Sequence, residues 1–174
     1  MDANIAEKLA NYRLFVDGKI SESAIVDVDL PDIQFMSENL SGAGILGEIE
    51  SVTVGHTSPL TLALNIRTLK DEDFAMLEPR EYILEIKAGI QSYNRTAGKV
   101  QIGKYSVLVK GTPKGISLGK ASVGKAMDNK REFTVNYIKV SLDGKEMLEI
   151  DKHNMICKIN GNDFLADLRA AIGM

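Results

Sequence analysis

The stretch "GKASVGKA" (119–126) is the part of the chain whose residue types and spacing come closest to a chemical motif. Its two glycines and Lys125 have the Gly-x-x-x-x-Gly-Lys spacing of a P-loop, which binds nucleotide phosphates through backbone amides and a lysine. A working P-loop has Ser or Thr after that lysine to bind Mg²⁺, and this chain has Ala126. The flanking residues also lack the buried parallel strand and the helix that a P-loop joins. The sequence instead favours a strand here, with Lys120 and Lys125 at solvent-facing or interface positions.

The other chemically capable residues form no recognisable site. His56 and His153 are the only histidines, and neither has the spacing of a metal ligand. Cys157 is the only cysteine, so no disulfide can form within the chain, and its apolar neighbours predict a small buried hydrophobic residue. We therefore predict a protein that is not an enzyme and has no metal and no cofactor.

Composition narrows the class further. The chain has 174 residues, of which 44% are hydrophobic and 26% charged, which suits one globular domain with a true core. The net charge of -3 argues against tight nucleic-acid binding, which needs a basic face. No basic, apolar leader opens the sequence, and no run is long enough to span a membrane. We expect a soluble protein made in the cytoplasm.

Alternation of apolar and polar residues dominates the chain and predicts strands. It is clearest in residues 60–66, 82–90 and 133–137, each with one apolar face. From Phe133 to Tyr137 the apolar residues stand at odd-numbered positions, and from Ile138 they stand at even-numbered ones. This change of phase predicts a β-bulge or a strand that crosses between two sheets.

Turn residues separate these strands. Asp17-Gly18 and Asp143-Gly144 each lie between strand-like segments and predict tight hairpins, because both residue types tolerate positive φ. The prolines are predicted to lie at strand ends or in loops: Pro31, Pro59, Pro79 and Pro113.

Helical patterns are few. Residues 70–77 start with acidic residues and predict a short helix, and residues 4–12 indicate a weaker one. Residues 162–172 predict a C-terminal helix with Asn162 as its N-cap and Gly173 after its end. Its predicted apolar stripe is Phe164, Leu165, Leu168 and Ile172. The fold class is therefore mainly β, with two packed antiparallel sheets in a sandwich or barrel and one or two short flanking helices.

A glycine-rich segment, residues 38–51, does not fit this monomer well. It places Ile45 and Leu46 among glycines, where two aliphatic side chains on a pliable loop need a covering surface. The segment is either a long β-loop folded onto its own domain or an intermolecular contact, and the sequence favours the contact. The candidate interface residues are Ser41, Gly42, Gly44, Ile45, Leu46, Gly47 and Glu48.

The C-terminal part carries a family resemblance. Residues 140–173 read "VSLDGKEMLEIDKHNMICKINGNDFLADLRAAIG" and resemble the end of the major tail tube protein of contractile-tailed phages and related tail-like particles. The segment "YRLFVDGK" (12–19) and the glycine-rich segment also lie where that family has similar features, whereas between about 60 and 130 only the order of elements agrees. The residues that carry the family pattern and are expected to have a structural role are Asp143, Gly144, Asn154, Met155, Asn160 and Gly161.

The resemblance implies a single tail tube domain over residues 1–174 and a structural function. Such subunits form hexameric rings that stack into a hollow tube, which sheath contraction drives through the host envelope and which conducts DNA. The implied partners are other copies of the chain, the tail sheath protein, the baseplate hub, the tail terminator, and the tape measure protein and DNA in the lumen. The implied location is the virion tail or a bacteriocin-like particle, assembled in the bacterial cytoplasm. A monomeric β-sandwich binding module is the alternative.

Overall fold

The structure, a computed structural model, describes residues 4–174. Across these residues it has twelve strands and two short helices. In chain order they are β1 Asn4–Val16, β2 Lys19–Ile20, β3 Ile25–Asp29, β4 Phe35–Ser41, β5 Glu48–Thr57, β6 Leu60–Ile66, α1 Asp71–Ala75, β7 Tyr82–Asn94, β8 Lys99–Ser117, β9 Asn129–Leu142, β10 Lys145–Asp151, β11 Ile156–Ile159, β12 Asn162–Asp163 and α2 Ala166–Ile172.

Two antiparallel sheets contain all of these strands. The larger has ten strands in the order β12-β11-β10-β9-β8-β7-β1-β2, with β6 added to β9 and β3 added to β6. The smaller is the β4–β5 hairpin alone. The predicted mainly β class with two antiparallel sheets and short helices is confirmed.

The change of phase near Ile138 marks a branch point in the larger sheet. Val135 pairs with Gly111 and Tyr137 pairs with Lys110, so Asn136 is an extra residue in β9. Before this bulge β9 pairs with β6, and after it β9 pairs with β10. The predicted bulge is confirmed, whereas the alternative of a strand that crosses between two sheets is wrong, because β9 changes its partner within the one ten-stranded sheet.

The core lies within the ten-stranded sheet. One buried apolar cluster joins β6, β7, β8 and β9; it also includes Leu14 of β1, Met76, Ile150 of β10, Cys157 of β11 and Leu165. Tyr82 packs edge-on against Phe133 at its centre, with ring centroids 6.2 Å apart. Among residues 4–174, β4 and β5 contribute nothing to this cluster, so the small sheet is an appendage of the domain.

The helix predicted over residues 4–12 is wrong, because this segment is the first part of β1. It pairs along β7, with Ile5 opposite Tyr93 and Leu9 opposite Ile90. A ladder of backbone hydrogen bonds to a neighbouring strand outweighs a weak helical pattern. The helix predicted at residues 70–77 is confirmed as α1.

The C-terminal helix exists but begins later than predicted. Asn162 is not its N-cap, because Asn162 pairs with Ile159 across a further hairpin. The helix follows Leu165, which provides no side-chain cap, and ends with Gly173 in the left-handed conformation at φ 80, as predicted.

Both predicted hairpins are confirmed as two-residue turns. Asp17 and Gly18 have φ of 49 and 80, and Asp143 and Gly144 have φ of 49 and 82, as a type I′ turn requires. Pro31, Pro59 and Pro79 lie outside strands as predicted. Pro113 instead lies inside β8, where a register shift before Gly115 interrupts the ladder, so its missing N–H is tolerated.

Candidate assembly surface

The β4–β5 hairpin, residues 35–57, is an arm that extends from the domain. Every residue of β4 is exposed, and so are the first seven residues of β5. Leu40 lies opposite Ile49, and both side chains are exposed, as are Met36 and Val52 on the two strands. A two-stranded sheet with apolar side chains open to water is marginally stable alone, so the arm has the properties of a surface that another molecule covers.

The predicted interface residues form the tip of this arm. Ser41 ends β4 and pairs with Glu48, which starts β5, and the residues between them form the connecting loop. Gly44 and Gly47 have φ of 90 and 93, a conformation that glycine adopts without strain. Leu46 is 104% exposed, so its whole side chain is in water.

The arm carries charge of one sign. Glu38, Glu48 and Glu50 are its only acidic residues, and no lysine or arginine occurs anywhere between Ile20 and Ile66. Glu50 accepts a hydrogen bond from Ser37 Oγ. Within residues 4–174, none of the three carboxylates has a cation within 4.0 Å. The arm is therefore acidic as well as apolar.

The base of the arm is fixed to the C-terminal region. A Cβ on Gly55 would lie 2.5 Å from Leu165 Cδ1, so the leucine fills the space that a side chain would need. An apolar pocket of about 190 Å³ lies beside this contact; it is lined by Phe35, Val52, Val54, Gly55, Cys157, Ile159 and Phe164. The arm is thus anchored at its base and free at its tip.

The C-terminal helix adds further exposed apolar surface next to this base. Leu165 is buried, whereas Phe164, Leu168 and Ile172 of the predicted stripe are exposed by 53%, 39% and 54%. The predicted stripe is only partly helical, because Phe164 and Leu165 lie before the helix, and only Leu165 belongs to the buried core.

The residues that carry the family pattern occupy turns. Asn160 and Gly161 have φ of 52 and 84 and form the two-residue turn between β11 and β12. Met155 has φ of 50, and Asn154 donates from Nδ2 to Asp151 Oδ2 at 2.7 Å. Together with the Asp143-Gly144 turn, these residues set the path of the last three hairpins.

An ion pair holds the C-terminal helix onto these hairpins. Arg169 Nη2 donates to Asp163 Oδ2 at 2.6 Å, and Arg169 Nη1 donates to the carbonyl of Met155 at 2.8 Å. The hydrogen bond from Arg169 lowers the pKa of the Asp163 carboxyl, and it raises the pKa of the guanidinium.

The "GKASVGKA" segment is a loop and not the predicted strand. It lies in the connection between the antiparallel strands β8 and β9, and no helix follows it. The amide of Lys120 donates to the carbonyl of Met127 at 2.7 Å, and a Cβ on Gly119 would lie 1.9 Å from that oxygen. This backbone does not form a phosphate-binding loop, which agrees with the argument from Ala126.

The other candidate groups lie in ordinary structural positions. Cys157 is buried, which raises the pKa of its thiol and makes it inert, as predicted. His56 lies exposed on β5, and His153 lies exposed in the turn after β10. Among residues 4–174, no group of three or more histidine, cysteine or acidic side chains could hold a metal ion, and no helix is long and apolar enough to cross a membrane.

A buried ion pair is the feature that sequence reasoning missed. Arg131 Nη2 lies 3.0 Å from Asp73 Oδ1, and both side chains are 0% exposed. Asp73 also accepts hydrogen bonds from Ser23 Oγ at 2.6 Å and from the amide of Lys70 at 2.7 Å. The alternation of β9 could have indicated it, because Arg131 lies two residues before Phe133 and therefore on the same inward face of the strand.

Comparisons with known proteins show the family and the fold of this chain. A family model described as phage tail tube protein FII matches residues 6–173. The tail tube protein of Escherichia phage P2 is 31% identical over 176 residues, which cover 96% of this chain and 97% of that protein. A chain in the cryo-electron-microscopy structure of the PVC sheath/tube terminator, in the extended state of an extracellular contractile injection system, has a similar fold. The TM-score is 0.55 at 10% identity, with 79% of this chain and 97% of that chain covered.

Proposed function

Because the chain belongs to the family of phage tail tube proteins FII, we propose that its copies close into hexameric rings and that the rings stack into a hollow tube. This tube is the inner tube of a contractile tail or tail-like particle. The chain acts in it as one tail tube domain over residues 1–174, as a structural subunit and not as an enzyme.

The observation that carries this proposal is the acidic, apolar arm with Leu46 wholly in water at its tip. Burying one leucine side chain stabilises a contact by about 1.5–3 kcal/mol. A chain that keeps such a residue on an anchored arm gains this free energy only when another molecule covers the tip. In a tube, that molecule is a neighbouring copy, and the candidate contact residues at the tip are those from Ser41 to Glu48.

The tube has a further set of proposed partners. The tail sheath protein surrounds it, the baseplate hub and the tail terminator close its ends, and the tape measure protein and then DNA occupy its lumen. Sheath contraction drives the tube through the host envelope, and DNA passes down it. The subunit is assembled in the bacterial cytoplasm and ends in the particle's tail.

Electron microscopy of concentrated, purified full-length protein tests the proposal. Rings or hollow tubes of uniform diameter are the expected result, because the free energy of covering the arm favours association at high concentration. Particles that stay monomeric at every concentration would contradict it and would favour the monomeric binding module.

A further inference from the structure

Resting on the proposed function, we infer that the acidic arm of one copy docks into a basic groove beside the 118–127 loop of a second copy. We call residues 118–127 the basic loop. In this contact the "GKASVGKA" segment binds another copy of the chain, which explains a loop that neither binds a nucleotide nor belongs to the core. The groove of the second copy is then the surface that covers Leu46.

The basic loop and its surroundings carry exposed positive charges, whereas the arm has no lysine or arginine. Lys120 and Lys125 are exposed, and Arg67 beside the loop is exposed as well. Within residues 4–174, none of these three cations has a carboxylate within 4.0 Å, whereas Lys114 and Lys130 nearby are both paired. The three cations without an ion-pair partner are opposite in charge to the three uncompensated carboxylates Glu38, Glu48 and Glu50 on the arm.

The groove also has the apolar character that the tip requires. It has a volume of about 680 Å³ and is lined by Arg67, Thr68 and residues 121–127. Val123 on its rim is 105% exposed, and Leu118 at the start of the loop is 57% exposed. Burying Leu46 against Val123 removes from water the two most exposed apolar side chains of the described chain.

The groove is formed before any partner binds. The amide of Met127 donates to the carbonyl of Arg67 at 3.0 Å, and the amide of Lys120 donates to the carbonyl of Met127 at 2.7 Å. These bonds hold both ends of the loop in place, so docking does not have to order it.

The base of the arm and the groove lie at opposite ends of β6, and Leu46 and Val123 are both fully exposed, so the tip does not occupy the groove of its own copy. The arm leads into β6 just before Leu60, which pairs with Val135, and the groove lies after Ile66, which pairs with Asn129. Seven strand residues separate the two ends by roughly 20 Å. A contact that joins two different surface patches of identical copies is called heterologous. When each copy makes it with the next, the copies form a closed ring or an open filament.

Charge reversal on both sides tests this pairing. One variant carries Glu48→Lys and Glu50→Lys, the second carries Lys120→Glu and Lys125→Glu, and the third carries all four. All four side chains are exposed, so the melting temperatures of the subunits should stay close to that of the wild type. The first two variants place like charges together and should raise the critical concentration for tube assembly at least about tenfold, whereas the third restores complementarity and assembly.

The wild type separates this inference from the proposed function. If wild-type protein forms no rings or tubes, the proposed function fails first. If the wild type assembles and either double variant assembles equally well, or the fourfold variant stays as defective as the double variants, the pairing of arm and groove is wrong while the tube remains. Salt supplies a readout that needs no variant: wild-type assembly should weaken from about 0.05 to about 0.5 M NaCl, and no change would contradict an ionic contact.

Discussion

Leu165 packs directly over the Cα of Gly55, where an added Cβ would lie 2.5 Å from Leu165 Cδ1 and 2.7 Å from its Cγ. This contact joins the arm to the segment that leads into the C-terminal helix. Gly55 also has φ of 72, so both its backbone and its surroundings require glycine. The arm is therefore held at its base by this contact, whereas its tip is exposed.

Gly55→Ala should lower the free energy of unfolding by about 2–4 kcal/mol, as the sum of backbone strain and overpacking against Leu165. Gly44→Ala is the matched control, because Gly44 also has positive φ but has nothing within 4 Å of an added Cβ. It should cost only about 1 kcal/mol. Urea unfolding of both variants measures the difference, and equal losses would show that Leu165 does not constrain this position.

Asp73→Ala should lower the free energy of unfolding by about 3–5 kcal/mol, because it leaves the Arg131 guanidinium buried without its carboxylate. Asp71→Ala in the same helix is the control; Asp71 is exposed, and its loss should cost no more than about 1 kcal/mol. Adding Arg131→Met to Asp73→Ala should recover stability, since no unpaired charge then remains. A double variant less stable than Asp73→Ala alone would refute this account.

Glu149 should make stability depend on pH at the acidic end. Its carboxylate accepts hydrogen bonds from Lys158 Nζ and Tyr137 OH, each at 2.8 Å. The bond from Lys158 is the main cause that lowers the pKa of Glu149 below its ordinary value of 4.5, with Tyr137 and Lys139 adding to it and burial opposing it. Since the folded pKa is the lower one, this stabilisation is complete above pH 4.5 and is lost as the pH falls through the folded value.

Glu149→Gln removes that titration while it keeps an acceptor for Tyr137. At pH 6 the variant should be less stable than the wild type by about 1.5–3 kcal/mol, the range for a hydrogen bond to a charged group. The gap should narrow as the pH approaches 3. Denaturant titrations at several pH values measure the gap, and a gap that is constant over this range would show that Glu149 is not the titrating group.

The sequence predicted the features that depend on local chemistry. Asp-Gly turns, the alternation in β6 and the change of phase at Ile138 are all set by neighbouring residues, and the structure has each of them. The N-terminal segment failed because its structure depends on pairing with β7, far away in sequence. The prediction of Asn162 as a helix cap was also wrong because of strand pairing: Asn162 pairs with Ile159 across a turn and therefore does not cap the helix.

The sequence indicated which residues form the candidate surface, but it did not indicate which other residues they contact. The glycines around Leu46 indicated an exposed loop, and the loop is the tip of the arm. The anchor at Gly55 could not be predicted, because it depends on the approach of Leu165 from the other end of the chain. The basic groove was also missed, because Arg67 and Lys125 come together only through the backbone bond between Arg67 and Met127.

Leu46→Glu tests the role of the arm in assembly. In the free subunit the side chain of Leu46 is fully exposed to water. The free energy of unfolding of the variant should therefore lie within about 0.5 kcal/mol of the wild-type value. In the tube the same change removes the apolar contact of Leu46 and buries a carboxylate against apolar side chains such as Val123, where it loses its hydration, so it should prevent assembly. Leu46→Met is the control; it keeps an apolar side chain of similar volume and should still assemble.

The most direct measurement is electron microscopy of Leu46→Glu beside the wild type, with thermal melting of the same samples. We predict that wild type and Leu46→Met form tubes, that Leu46→Glu remains a folded subunit with an unchanged melting temperature, and that it forms none. Long tubes of Leu46→Glu would contradict the arm as the bridge between copies. A sharp fall in its melting temperature would contradict it as well, because Leu46 would then belong to the core of its own chain.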